Sequence, residues 1–185
     1  RRFGSIEKFK RCDCMIVVSD TTPIISLMKA GKLELLHKLF GVVYIPEAVY
    51  QELTDNEAFS EEVSMVQECE FLYVEEVDNG TSVTILRNFT RLDAGESEAI
   101  ILADEKHSDV LLMDEHKGRQ VAKKMGITIT GTIGILIHAF DEGMLTREDV
   151  EGCIERLKEN GIRISEKLYQ RLREHMRQNA EDILQ

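Results

Sequence analysis

The chain has 185 residues, 43% of them hydrophobic and 31% charged, with a formal net charge of −11, which suits one globular domain with a sizeable core. No segment reaches the roughly 20 apolar residues that a membrane span needs, so no membrane contact is expected. Because a protein that binds nucleic acid only by neutralising phosphates is normally basic, any nucleic-acid contact must be local or must depend on bound metal ions.

The first 14 residues are basic, with five basic and two acidic side chains, so residues 15–185 carry a formal charge of −14. This segment lacks the apolar centre of a secretory signal. Since Met15 is a candidate start, we expect residues 1–14 to be an N-terminal extension or a cloning remnant.

The four cysteines are too few and too irregular for a disulfide framework, which favours a cytoplasmic protein. The CDC motif has no second pair at zinc spacing, so zinc is not expected.

Five short β-branched segments predict strands, and the segments between them predict helices. The predicted strands are MIVVSD (15–20), VVYI (42–45), FLYVEEV (71–77), DVLLMD (109–114) and ITIT (127–130). The predicted helices are TPIISLMKAG, KLELLHKLFG, PEAVYQEL, DAGESEAIILADEKH and GRQVAKKMG. This alternation indicates right-handed βαβ units, and therefore an α/β fold with a mostly parallel sheet and helices on both faces.

Two helix starts have recognisable signals. Thr22 is predicted as an N-cap with Pro23 at the first helical position. Asp93 and Glu96 have the spacing of a capping box, in which each side chain binds the backbone N–H of the other.

The sequence changes character from Thr146 onward. An apolar stripe predicts one helix, ENG breaks it, and Ser165 is predicted to cap a last helix. The apolar side chains on these two helices are Val150, Ile154 and Leu157, then Leu168, Leu172, Met176 and Ile183. We expect residues 146–185 to form a helical appendage that packs on the α/β body of residues 15–145 or on another chain.

Two predicted strands end in aspartate, at Asp20 and Asp114. Ligands of open parallel sheets bind at the carboxyl ends of the strands, so these carboxylates share one crevice if the strands are neighbours. Glu52 falls within the apolar stripe of its helix. Glu96 is in line with Ile100 near the start of its own helix. Four acids can therefore converge.

Crowded carboxylates repel one another and raise each other's pKa unless a cation is present. Several acids with few histidines favour Mg²⁺ or Mn²⁺, which can activate water and stabilise the leaving oxygen of a phosphodiester. Lys117 and Arg119 follow the second strand-end aspartate, so local phosphate contacts are available. No histidine is placed to act as a base.

Each acid also has a purely structural explanation. Asp20 can start a helix, Asp114 can sit in a turn, Glu96 can be the capping partner of Asp93, and Glu52 can point to water. The joint pattern, with two strand-end aspartates and two stripe glutamates in one α/β domain, favours a functional site.

Five blocks resemble, in order, the PIN-domain family, and in particular its small prokaryotic members related to VapC-type toxins. The blocks are IVVSDTTPIISLMKAGKLELL, IPEAVYQEL, LDAGESEAIILA, LLMDEHKGRQVAKKMGI and TGTIGILIHAF. The resemblance implies a Rossmann-like sheet and a Mg²⁺- or Mn²⁺-dependent endoribonuclease built from three or four acids. Its acids fall on the same four positions, namely Asp20, Glu52, Glu96 and Asp114, as catalytic and metal-binding residues.

The resemblance also assigns substrate- or carboxylate-orienting roles to Thr21 and Thr22. The sequence departs from the family pattern at several positions. The third acid is commonly aspartate, so Glu98 or Asp93 are alternatives to Glu96. Glu115 is a candidate further acid, and Met113 stands where many members have a small hydroxyl residue.

The leading hypothesis is therefore a cytoplasmic metal-dependent endoribonuclease acting on RNA, with a small antitoxin protein as partner and a homodimer as assembly. The alternative is a PIN-like module that binds RNA or protein and has weak or lost catalysis. A receiver-like phosphoacceptor would need a late lysine at a strand end, which ITIT does not offer. A dinucleotide-binding domain would need glycines after the first strand, where DTTPII has none.

Overall fold

A computed structural model describes residues 15–55 and 60–182. The CDC motif and the N-terminal extension predicted for residues 1–14 lie outside the described residues, as does Ile183. Within the described ranges, no helix combines the length and the apolar character that crossing a membrane requires.

A five-stranded parallel sheet forms the centre of the protein, with the strand order β3-β2-β1-β4-β5. Its strands are β1 (Val17–Ser19), β2 (Val43–Pro46), β3 (Leu72–Glu75), β4 (Val110–Leu112) and β5 (Ile129–Thr130). Each lies within or one residue beyond a segment predicted from its β-branched composition. The prediction of a parallel α/β sheet is therefore confirmed, and β1 and β4 are neighbours.

Helices connect and cover the strands on both faces. In chain order they are α1 (Thr21–Lys29), α2 (Leu35–Phe40), α3 (Glu47–Thr54), α4 (Ser60–Gln67), α5 (Gly80–Thr90), α6 (Ala94–Glu105), α7 (His116–Lys124), α8 (Thr132–Asp141), α9 (Arg147–Glu159) and α10 (Glu166–Asp182). The sequence motifs had not identified α4, α5 or α8.

The core is divided by the sheet into two apolar clusters. Successive side chains of a strand point to opposite faces, so Val17 belongs to the larger cluster and Val18 to the smaller one. The larger cluster contains α1, α8 and the buried stripe of α9, and the smaller one contains the inner face of α6. Burial on both faces explains why these strands are almost continuously apolar.

The two C-terminal helices pack on the larger cluster. Val150, Ile154 and Leu157 of α9 are buried there, together with Leu172 and Met176 of α10. The α10 helix lies against α8. Of the two placements left open for the C-terminal helices, the structure shows packing on the α/β body.

One predicted helix start is wrong. The α1 helix begins at Thr21 with Asp20 at the N-cap, so Thr22 is not the cap and Pro23 is the third helical residue. Proline fits there because the first N–H groups of a helix have no intrahelical acceptor. In contrast, the capping box of Asp93 and Glu96 is present as predicted.

Candidate functional site

The carboxyl edge of the sheet brings the two strand-end aspartates to adjacent strands. Asp20 directly follows β1, and Asp114 lies two residues after the end of β4. The backbone N–H of Asp20 donates to the Leu112 carbonyl oxygen at 2.9 Å, which joins the ends of the two strands. This is the edge at which parallel sheets bind their ligands.

Asp20 is a buried acid surrounded by other acids. Only 3% of its surface is exposed, and among the described residues it has no cationic partner. Burial raises its pKa from an ordinary 3.8 to about 7. The backbone N–H of Thr21 opposes this rise, while the charges of Asp93, Glu96 and Glu52 add to it. An ionised Asp20 therefore calls for a nearby positive charge.

Glu52 extends from α3 to the start of α1 and α6. Its Oε2 accepts a hydrogen bond from Thr21 Oγ1 at 2.5 Å, and its Oε1 accepts one from the Gly95 N–H at 3.3 Å. The residue as a whole is exposed, which fits its place on a short surface helix. Its carboxylate nevertheless faces the site, because a Cβ on Gly95 would lie only 2.7 Å from Oε1.

Glu96 and Asp93 occupy the first turn of α6. Asp93 Oδ1 accepts the Glu96 N–H at 2.8 Å, and Glu96 Oε2 accepts the Asp93 N–H at 3.0 Å. Burial raises the pKa of Glu96, whereas the bond from the Asp93 backbone and the charge of Lys117 act in the opposite direction. Both acids therefore cap the start of α6, and both lie close enough to Asp20 to raise its pKa.

Glu98 has a different position. Its Oε2 accepts a hydrogen bond from the Ala48 N–H at 3.0 Å, in the first turn of α3. It therefore supplies an acceptor for a helix start that has no other side-chain cap. It is also absent from the acids whose charges raise the pKa of Asp20.

Asp114 is held by the start of α8. Thr132 donates to it twice, from N–H to Oδ1 at 2.8 Å and from Oγ1 to Oδ2 at 2.5 Å. No sequence motif indicated a role for Thr132. Its position at the start of the apolar segment TIGILIHAF, directly after a predicted strand and a glycine, was the available signal, since the N–H groups of a helix N-terminus bind carboxylates.

The other predicted side chains lie around these acids. Lys117 Nζ donates to the Arg91 carbonyl oxygen at 3.1 Å, so its charge stays close to Glu96. Arg119 Nη1 donates to the carbonyl oxygen of Met113, a fully buried residue, at 2.5 Å. Thr22 is exposed, in contrast to Thr21.

The carboxylates stand at separate anchored positions. Across the described ranges, no three acidic, histidine or cysteine side chains already surround a common point. Because Glu52, Glu96 and Asp114 each accept hydrogen bonds from neighbouring groups, a ligand shared by several of them requires side-chain rotation.

Comparison with known proteins identifies the family of the chain. The model of the family DUF3368, described as a PIN domain, matches residues 16–178. No curated protein matches the chain. PIN domains are generally nucleases and typically use divalent metal ions. The matched range includes every acid of the site and both C-terminal helices up to Gln178, and the chain therefore belongs to the PIN-domain family.

Proposed function

We propose that this protein is an endoribonuclease that hydrolyses RNA phosphodiesters with Mg²⁺ or Mn²⁺. The observation that carries the proposal is Asp20, a buried carboxylate without a cationic partner among the described residues, at the carboxyl edge of the sheet. Burying an unpaired charge is unfavourable, so the arrangement is best explained by a cation that binds to Asp20 in the active protein.

The surrounding side chains suit such an ion. Asp20, Glu52, Glu96 and Asp114 supply carboxylate oxygens, the ligands that Mg²⁺ and Mn²⁺ prefer. A divalent ion bound by them would neutralise the phosphodiester and promote attack by water. Its charge would also reduce the negative charge at the site, on a chain whose formal charge of −11 otherwise repels RNA.

The remaining residues orient these ligands. Thr21 fixes the Glu52 carboxylate, and Thr132 fixes both oxygens of Asp114. Hydrogen bonds of this kind set ligand orientation and are a common feature of protein metal sites. We assign Lys117 to an RNA phosphate, because it is exposed and close to Glu96.

For the third acid we favour Glu96 over the two alternatives. Glu98 is engaged at the start of α3 and is not among the acids that raise the pKa of Asp20. Asp93 is exposed and caps α6, whereas Glu96 is buried beside Asp20 with a raised pKa. A bound ion would stabilise the ionised form of Glu96 and so oppose the rise in its pKa that burial causes.

Calorimetric titration with Mn²⁺ tests the proposal without knowledge of the RNA sequence. We expect Asp20→Asn and Asp114→Asn each to weaken Mn²⁺ binding at least about tenfold, since each removes a charged ligand. Asp104→Asn is the matched control, because Asp104 is an exposed acid at the far end of α6. Equal Mn²⁺ binding by all four proteins would contradict the proposed site.

A second test uses the close approach of Gly95 to Glu52. In Gly95→Ala the new Cβ would lie 2.7 Å from Glu52 Oε1, so the flexible carboxylate must move. We expect the protein to remain folded, because alanine favours a helix, and Mn²⁺ affinity to fall by roughly three- to tenfold. The control is Gly80→Ala, where a Cβ meets nothing within 4 Å. Unchanged Mn²⁺ affinity in Gly95→Ala would remove Glu52 from the ligand set.

The resemblance to VapC-type toxins extends the proposal to a cytoplasmic toxin that forms a homodimer and is inhibited by a small antitoxin protein. Expression of the chain alone, beside its Asp20→Asn variant, is the corresponding test. Growth arrest by the unmodified chain only would support a toxin. Equal growth of both cultures would favour a ribonuclease with another role.

A further inference from the structure

A pocket of about 380 Å³ lies on the Asp114 side of the site. We call it the side pocket. It is formed by the start of α1, the start of α8, the end of α9 and the α9–α10 connection, and it reaches Leu168 on α10. It shares Asp114 and Thr132 with the candidate site, so a ligand that enters it also borders Asp114, one of the four proposed catalytic acids.

The side pocket contains an unpartnered hydroxyl group. Ser26 of α1 lines it and is completely buried, and its Oγ has no hydrogen-bond partner. A buried polar atom without a partner is uncommon and destabilising. Because Ser26 is completely buried, a ligand reaches this Oγ only when the pocket wall shifts slightly; a hydrogen-bonding edge would then satisfy it, and a purely apolar ligand would not.

Arg163 provides a positive charge at the same pocket. It lies in the connection between α9 and α10 and is exposed. Although Asp114 and Glu115 line the same pocket, Arg163 makes no ion pair or hydrogen bond with any residue that the structure describes. Its guanidinium is therefore available for an anionic group such as a phosphate.

The other walls are aliphatic, contributed by Ile133, Leu157, Ile162, Ile164 and Leu168. Apolar walls with a few polar groups are typical of small-ligand pockets, and the volume falls within their usual range of roughly 300–1,000 Å³. A nucleoside within an RNA chain matches these features. Its base has flat apolar faces and a hydrogen-bonding edge, and the adjoining phosphate carries a negative charge.

We propose that the side pocket binds one nucleoside of a single-stranded RNA, next to the phosphodiester at the acids, with Arg163 on the adjoining phosphate and Ser26 on a polar edge. This inference rests on the proposed ribonuclease function. It explains how an acidic protein selects a cleavage position, because a base that is turned out of a single strand can be recognised by its edges.

Binding of the four ribonucleosides and their 5′-monophosphates to the full chain, measured by NMR titration with divalent ions removed, tests the assignment. We expect at least one base to bind, and Leu168→Trp to weaken its binding at least about tenfold by filling the pocket. Leu168 is 38% exposed, so the substitution should be tolerated. Gln170→Trp, an exposed neighbour on α10 outside the pocket, should bind as the unmodified protein does.

A second variant separates the base from the phosphate. Arg163→Gln should weaken binding of the monophosphate severalfold and leave the nucleoside unaffected. Failure of all eight compounds to bind would overturn the inference, and so would equal binding by Leu168→Trp and the unmodified protein.

These outcomes are distinct from failure of the proposed function. If the protein cleaves RNA in an Asp20-dependent manner but Leu168→Trp changes neither nucleoside binding nor the base next to the cut, only the pocket assignment is overturned. If nucleosides bind in the pocket but the protein neither binds Mn²⁺ nor cleaves RNA, the pocket does not serve a cleaved substrate, and the inference is overturned as well.

Discussion

Asp20→Asn is expected to reduce Mn²⁺-dependent cleavage of single-stranded RNA by roughly 10³-fold, a loss typical of removing a main electrostatic group from an active site. Three other acids lie close enough to raise the pKa of Asp20, so a cation bound there would interact with several negative charges. Replacing Asp20 by asparagine removes the central one of these charges. The measurement is the initial rate of cleavage of an RNA of mixed sequence, resolved on a denaturing gel.

Two further variants are needed to interpret the cleavage rate of Asp20→Asn. Asp114→Asn should show a loss of similar size, because its carboxylate is fixed at the neighbouring strand end. Asp104→Asn, on the outer end of α6, should cleave at the unmodified rate. If Asp20→Asn cleaved as fast as the control, the acids would not form the catalytic site, and the alternative of a PIN-like binding module would be preferred.

The same Asp20→Asn variant is expected to be more stable than the unmodified protein when divalent ions are absent. Burial raises the pKa of Asp20 to about 7, so between about pH 4 and pH 7 the native state holds a proton that the unfolded state has released. The stability of the unmodified protein therefore falls as pH rises through this window, and the cost is complete above it. Asparagine cannot ionise and avoids this cost.

We expect Asp20→Asn to raise the free energy of unfolding at about pH 8 by on the order of 4 kcal/mol, since about three pKa units correspond to ~1.36 kcal/mol each, with the difference vanishing below about pH 4. Urea unfolding across this range, in a chelating buffer, measures it. Asp104→Asn serves again as the control and should follow the unmodified protein. At a given Mn²⁺ concentration, the ion should stabilise proteins that retain Asp20 more than Asp20→Asn, because ligand binding to the native state raises its stability in proportion to affinity. A variant less stable at high pH would show that Asp20 is already compensated within the fold.

The positions of the strands were predictable from the sequence because they depend on local composition. Short β-branched segments next to acids identified β1 and β4, and therefore Asp20 and Asp114. The α6 capping box was equally local, since both partners lie within one helical turn. The start of α1 was misassigned because Thr22, Asp20 and Pro23 all carry N-terminal helix signals, and local signals do not rank them.

The identity of the third acid could not be predicted from neighbouring residues in the sequence. Asp93, Glu96 and Glu98 lie within six residues of sequence, and any of them can be placed at a helix start. The packing of α3 against α6 distinguishes them, because it brings the Ala48 N–H to Glu98 and leaves Glu96 beside Asp20. Such contacts join residues about fifty positions apart and have no signature within either helix.

The sequence by itself determined the α/β class, the strand-end acids and the amphipathic character of the C-terminal helices, because each follows from periodicity or from neighbouring residues. Only the tertiary structure decided that Thr132 holds Asp114, that Glu98 belongs to a helix start, and that α9 and α10 fold back to form the side pocket. An apolar stripe specifies that a helix face must be buried, but the partner is set by packing across the whole core.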